Sequence, residues 1–153
     1  MLITAKVNYG MRALVHLARF DGAAKSEDLA SAQAVPAGFL KSILGDLRRT
    51  GILVSQRGTD GGYRLARPPA DITVGEVVRA LDGTMTDVGG RHVGTQDEAS
   101  LHIDEVWRVV GARLTETLDG VTLEDVALGQ LPSWAAHHAG LAGLPTPARM
   151  SMP

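Results

Sequence analysis

Apolar residues recur at helical spacing through most of the first half of the chain. Between Thr4 and Arg19 they fall at Val7, Met11, Leu14, Val15 and Ala18, one stripe of an amphipathic helix that Asp21-Gly22 ends. Ser26 reads as the N-cap of a short second helix, with Glu27 and Asp28 at the positive end of its dipole and Leu29 inward. The chain turns over Gln33 to Val35, and Pro36 stands where a first helical residue belongs, since no N–H is needed there. Leu40, Ile43, Leu44 and Leu47 then define the buried face of a third helix, which Gly51 stops. After it, Ile52 to Gln56 and Tyr63 to Ala66 read as strands. They flank Arg57-Gly-Thr-Asp-Gly-Gly62, in which Asp60-Gly61 is a hairpin signal, and Pro68-Pro69 closes the unit.

Thr73-Val-Gly-Glu76 has the spacing of a capping box and opens a helix with Val74, Val77, Val78 and Leu81 inward, ended by Gly83. Residues 84–98 carry three glycines and no apolar period; so long a stretch in a compact domain is functional or unstructured. From about Ser100 to Leu118, Ile103, Trp107, Val110, Leu114 and Thr117 alternate spacings of four and three, a coiled-coil seam two heptads long. Thr122 begins a short last helix through Leu128, and a Gly/Ala/Pro tail without a period runs from Pro132. The pattern predicts a mainly α fold with a small two-stranded wing, a winged helix-turn-helix, plus a long dimerisation helix. Its units are a DNA-binding domain at 1–83, a flexible loop in the effector or sensor position at 84–99, the dimerisation helix and last helix at 100–129, and a disordered tail at 130–153.

Aromatic residues make up 4% of the chain, so the core must rest on Leu, Val, Ile and Ala. No apolar run approaches the roughly 18 residues of a membrane span. The first residues also lack a signal-peptide layout. A cytoplasmic protein with no membrane partner is the expectation. The net charge of −2 hides an asymmetry: residues 1–70 carry ten Lys/Arg against five Asp/Glu, and residues 71–153 carry five against twelve. A basic first half suits phosphate attraction, while the acidic second half keeps the opposite surface off DNA.

In a helix-turn-helix the second helix enters the major groove. Its buried face leaves Ala37, Gly38, Phe39, Lys41, Ser42 and Gly45 toward the groove. Lys41 and Ser42 can bond to bases or phosphates, Phe39 can pack on a thymine methyl, and small residues permit close approach. Arg48 and Arg49, at the helix end, suit phosphates. A basic amphipathic helix packed in a core would look the same; the hairpin tips the balance. Arg57 stands at its neck, able to enter the minor groove. Thr59, Gly61 and Gly62 at the tip, with Ser26 and Pro36 at the helix starts, complete the candidate DNA contacts, and Ile103, Trp107, Val110 and Leu114 form the candidate dimer seam. As a plain surface hairpin, Gly61 and Gly62 would serve only the turn.

The sequence resembles the Rrf2 family of bacterial regulators, of the IscR, NsrR and CymR type. The resemblance lies in Thr4-Ala-Lys-Val-Asn-Tyr9 with Arg12-Ala-Leu14, in Phe39-Leu-Lys-Ser-Ile-Leu44 leading to Leu47-Arg-Arg49, and in Arg57-Gly-Thr-Asp-Gly-Gly-Tyr-Arg-Leu-Ala-Arg-Pro68. Ile72-Thr-Val-Gly-Glu-Val-Val-Arg-Ala-Leu81 and Trp107 extend it, so that it spans roughly residues 1–128. It implies a homodimeric regulator, by expectation a repressor, that reads an inverted repeat in double-stranded DNA and answers to an effector the sequence does not name. Many members hold an iron–sulfur cluster on three cysteines before the long helix. This chain has no cysteine; Leu101 stands about where the last would fall, and Asn8 where the nitric-oxide-sensing branch adds an acidic ligand. Such clusters need thiolates for most of their ligands, so no cofactor is expected.

Other constellations carry less. His92 and His102, with Asp87, Asp97 and Asp104, lack a tight metal-ligand spacing, and His137-His138 sit in the tail. His16 falls with Tyr9, Arg12 and Arg19 on the polar side of the first helix, where a surface or dimer contact is the plainer role. No nucleophile–base pair, phosphate loop or zinc motif points to an enzyme. The alternatives are an interaction protein that binds another regulator through the hairpin and long helix, and a small-molecule-binding domain that has lost DNA binding.

Overall fold

A computed structural model describes residues 3–20, 22–58, 61–83 and 98–138. Helix α1 (Ala5–Arg19) starts at Thr4, whose hydroxyl accepts the Val7 N–H at 3.3 Å. It buries Val7, Gly10, Ala13, Leu14 and Leu17, while Met11, Val15 and Ala18 of the predicted stripe are only partly buried. The buried face is rotated because two small residues set it. A Cβ on Gly10 would stand 2.4 Å from Leu81 Cδ1 and 3.2 Å from Ile43 Cγ2, so helices approach there that a bulkier residue would hold apart.

Helices α2 (Ser26–Gln33) and α3 (Ala37–Arg49) form the helix-turn-helix. Both begin one residue away from the predicted position. The Lys25 carbonyl already accepts the Leu29 N–H at 3.1 Å, which makes Lys25 the N-cap and draws Ser26 into the helix, 7% exposed. Pro36 is extended (φ −55°, ψ 127°) and caps α3 instead of opening it; its carbonyl accepts the N–H groups of Phe39 and Leu40.

Strands β1 (Leu53–Gln56) and β2 (Gly62–Leu65) pair antiparallel with Gln56 opposite Gly62. That register leaves five residues in the loop, not the two-residue turn that Asp60-Gly61 signals. The linker between α1 and α2 adds a third edge: Ala24 and Tyr63 exchange backbone hydrogen bonds of 3.0 and 2.8 Å.

After a 3-10 turn at Pro69–Asp71 comes α4 (Val74–Asp82). The Thr73 hydroxyl accepts the Glu76 N–H at 3.1 Å, but the Glu76 carboxylate pairs with Arg67, so only half of the predicted capping box is made. The complete box is Thr122 with Asp125, at the start of α6 (Leu123–Leu128). Between them α5 (Glu98–Asp119) runs 22 residues, opening two residues earlier than predicted. The segment expected to lack structure contains α7 (Ser133–His138), where Trp134 lies against Gly120; that ring gives an otherwise Gly/Ala-rich segment an anchor. Most of the predicted loop, 84–97, and the tail from 139 lie outside the described residues.

The core joins Leu14, Leu29, Leu40, Ile43, Leu44, Leu47, Ile52, Leu53, Ile72, Val77 and Leu123, all fully buried and none aromatic. Each such side chain contributes about 1.5–3 kcal/mol by leaving water. Leu123 comes from beyond α5, so α6 is part of the same core as the DNA-binding unit.

Candidate nucleic-acid interface

The turn between α2 and α3 depends on Ala34, which is left-handed (φ 53°, ψ 44°). There the Val35 N–H reaches the Ala30 carbonyl at 3.1 Å and the Ala34 N–H reaches that of Ser31 at 3.2 Å, closing α2 in a Schellman motif. An L-residue in this conformation costs about 1–2 kcal/mol. Burial of Val35 at 8% exposure helps to offset it.

With Leu40, Ile43, Leu44 and Leu47 inward, α3 presents Ala37, Gly38, Lys41, Ser42 and Arg48 to solvent. Phe39 is 41% exposed, and its ring edge meets Tyr9 with centroids 6.0 Å apart, so α1 holds it in place. Asp46, which the sequence reading passed over, binds Lys6 Nζ at 2.7 Å and pairs with Arg49. It clamps α3 to α1. Arg49 is therefore ion-paired within α3, although its side chain remains 73% exposed.

Ser26 is too buried to meet DNA from the surface. The neighbouring Glu27 carboxyl is held below its ordinary range by its own backbone N–H first, then by the Ser26 side chain and the Lys41 and Lys25 charges. Lys41 thus carries an ionised neighbour on α2.

In the wing Arg57 is exposed, while Thr59 lies outside the described residues. Both glycines at the tip have internal reasons. A Cβ on Gly61 would meet the Gln56 carbonyl at 2.6 Å, and one on Gly62 would meet the Ala24 carbonyl at 2.3 Å. The hairpin and its third edge thus require glycine at both positions.

On α5 the predicted seam is uncovered: Ile103 is 50%, Trp107 41% and Val110 44% exposed, with Leu114 half-buried. Val106, at 57%, extends the same face, a residue the strict four-three spacing omits. Among the described residues no helix is long and apolar enough to cross a membrane.

The Rrf2 family, described as "iron-dependent transcriptional regulator", matches residues 3–128. A helix-turn-helix transcriptional regulator of Mycobacterium tuberculosis is 39% identical over 91% of this chain and 89% of its own. CymR of Bacillus subtilis is 31% identical over 83% of this chain and 90% of its own. The structure of that protein, described as the global cysteine regulator, superposes with a TM-score of 0.71 at 29% identity, covering 83% of this chain and 96% of that one. The IscR of T. potens gives a TM-score of 0.67 at 30% identity over 82% and 85%. The family's iron does not fit here as a thiolate-bound cluster, because the chain contains no cysteine to supply the sulfur donors. These matches place the chain in the Rrf2 family of DNA-binding transcriptional regulators, as a member without cysteine and not an enzyme.

Proposed function

We propose that the chain acts in the bacterial cytoplasm as a homodimeric repressor that reads an inverted repeat. The observation that carries this reading is the uncovered apolar face of α5, running Ile103, Val106, Trp107 and Val110 at 41–57% exposure on a helix whose other end is fixed to the DNA-binding unit. A second copy buries that face about a two-fold axis and sets two α3 helices apart, so half-sites fall whole helical turns apart. Lys41 and Ser42 read bases, Arg48 and Arg49 hold phosphates, and Arg57 follows the wing into the minor groove. Seated on a promoter, such a dimer blocks it by occupancy.

Selection of genomic fragments by the purified protein, followed by sedimentation with the best fragment, tests the proposal. An inverted repeat bound by two chains is the expected result. A monomer at micromolar concentration, or affinity indifferent to salt and sequence, favours instead an interaction protein that binds another regulator.

A further inference from the structure

On the side of α1 away from its buried face, the end of α2 and α6 close an open groove of about 450 Å³. Met11, Val15 and Val126 make its apolar wall, and Arg12 and His16 its polar side, with no acidic residue in the lining among the described residues. Arg12 is exposed and has no hydrogen bond or ion pair among the described residues. Arg19 stands at the edge, fixed by its Nε donating to the Ala127 carbonyl at 2.9 Å. Gln33 closes the α2 end. Both polar atoms of its amide are shut from solvent, and among the described residues neither has a hydrogen-bond partner. An amide so placed is a standing penalty unless something else supplies the missing bonds.

We propose that this groove is an effector site for a small organic carboxylate. The Arg12 guanidinium takes the carboxylate, with His16 beside it. The hydrocarbon body lies on Met11, Val15 and Val126, and the Gln33 amide turns into the groove to meet a second polar group on the ligand. The position gives the site leverage. Gln33 is the last residue of α2 and directly precedes Ala34, the left-handed residue that sets the angle of α3. Val126 belongs to the helix that follows α5. A ligand that draws Gln33 toward Arg12 therefore biases the reading helix and the dimer helix together. This coupling rests on the regulator reading above; the binding itself does not.

The probe is 4-hydroxybenzoate, which offers a carboxylate, a flat apolar body and a distal hydroxyl. Benzoate lacks the hydroxyl and 4-hydroxybenzamide lacks the charge. Each is titrated into the isotope-labelled full chain without DNA, following side-chain resonances of Arg12 and Gln33. Saturable shifts are expected with 4-hydroxybenzoate, and binding about tenfold weaker with the benzamide and in Arg12→Ala, a difference of roughly 1.4 kcal/mol. Benzoate and Gln33→Met should each weaken binding severalfold, and the melting curve of Gln33→Met shows that it folds. Absence of saturable shifts at millimolar 4-hydroxybenzoate, or equal binding by Arg12→Ala, overturns the site. Operator affinity with and without saturating probe is then compared, and an unchanged value overturns the coupling. A chain that binds the probe but no DNA sinks the regulator reading and leaves the site standing; one that binds DNA but not the probe does the reverse.

Discussion

Gly62→Ala puts the structural reading of the wing at risk. Gly62 has φ 153°, where L side chains are strained, and its added Cβ would lie 2.3 Å from the Ala24 carbonyl oxygen and 2.5 Å from its carbon. Those atoms are backbone, so no rotamer change relieves the collision and the two segments must separate. Separation breaks the paired hydrogen bonds of 3.0 and 2.8 Å between Ala24 and Tyr63. The conformational strain is worth about 1–3 kcal/mol. The two bonds add about 0.5–1.5 kcal/mol each. A loss of roughly 2–6 kcal/mol follows, enough to lower the urea midpoint by about 1–3 M at a slope of about 2 kcal/mol/M.

Gly58→Ala supplies the control. Gly58 also has positive φ, 109°, but an added Cβ there meets nothing within 4 Å among the described residues. It should show the strain alone, and the difference between the two melts isolates the third edge. In DNA competition Gly62→Ala should lose its preference for A/T-rich flanks while keeping its salt slope, because the α3 cations are untouched. If Gly62→Ala melts with Gly58→Ala and keeps its preference, the third edge does not hold the wing, and the close approach of these backbones has some other purpose.

Val110→Asp with Leu114→Asp places charges in the α5 seam; sedimentation should show monomers, with operator affinity sharply reduced. Lys41→Ala should weaken the best site by roughly 1–3 kcal/mol relative to random DNA. Arg49→Ala should weaken all sequences alike and lower the salt slope by about one, and a change smaller than that means Asp46 keeps Arg49 from the phosphates. Ala34→Gly should relieve the left-handed turn and raise stability by about 0.5–1 kcal/mol in a thermal melt, since a glycine's larger unfolded-state entropy cancels part of the gain.

The helices and hairpin are legible in the sequence because their buried faces are unambiguous: Leu40, Ile43, Leu44 and Leu47 can face only one way on a helix, and the same four are buried at 0% exposure. Small residues hide what they do. Gly10 and Ala13 carry no apolar signal, yet they set the buried face of α1, and Gly75 looks like capping-box filler. Polar residues mislead when two partners compete. Glu76 is spaced to cap Thr73 but binds Arg67, and Arg49 is placed for phosphate but pairs with Asp46 three residues back, while Asp46 also meets Lys6, a contact that needs α1 beside α3. Ser26 suited a cap by type alone; one earlier carbonyl bond buried it. Gln33 gave no sign at all, because a glutamine ending a helix is ordinary until its amide is seen to be shut away.

Asp119 shows how the two halves of the chain are joined. At the end of α5 its carboxylate accepts the Thr73 hydroxyl at 3.2 Å and both Arg79 nitrogens, at 2.8 and 3.2 Å. It sits so close to the first turn of α4 that a Cβ on Gly75 would stand 2.1 Å from its Oδ1. A negative charge at that helix start is favourable, and the forked pair with Arg79 fixes its direction. The side chain is 38% exposed, so screening limits the stability it adds to about 1 kcal/mol or less. Its geometric effect is larger, because in the proposed dimer α5 sets the separation of the two α3 helices. Asp119→Asn keeps the shape and removes the charge. A single reading head needs no fixed separation, so binding to an isolated half-site should hardly change. Binding to the full inverted repeat should weaken, and the spacing preference measured across operators with inserted base pairs should broaden. Equal weakening on half-site and full site would mean that Asp119 supports only the fold of the reading head, and that the orientation of α5 is set elsewhere.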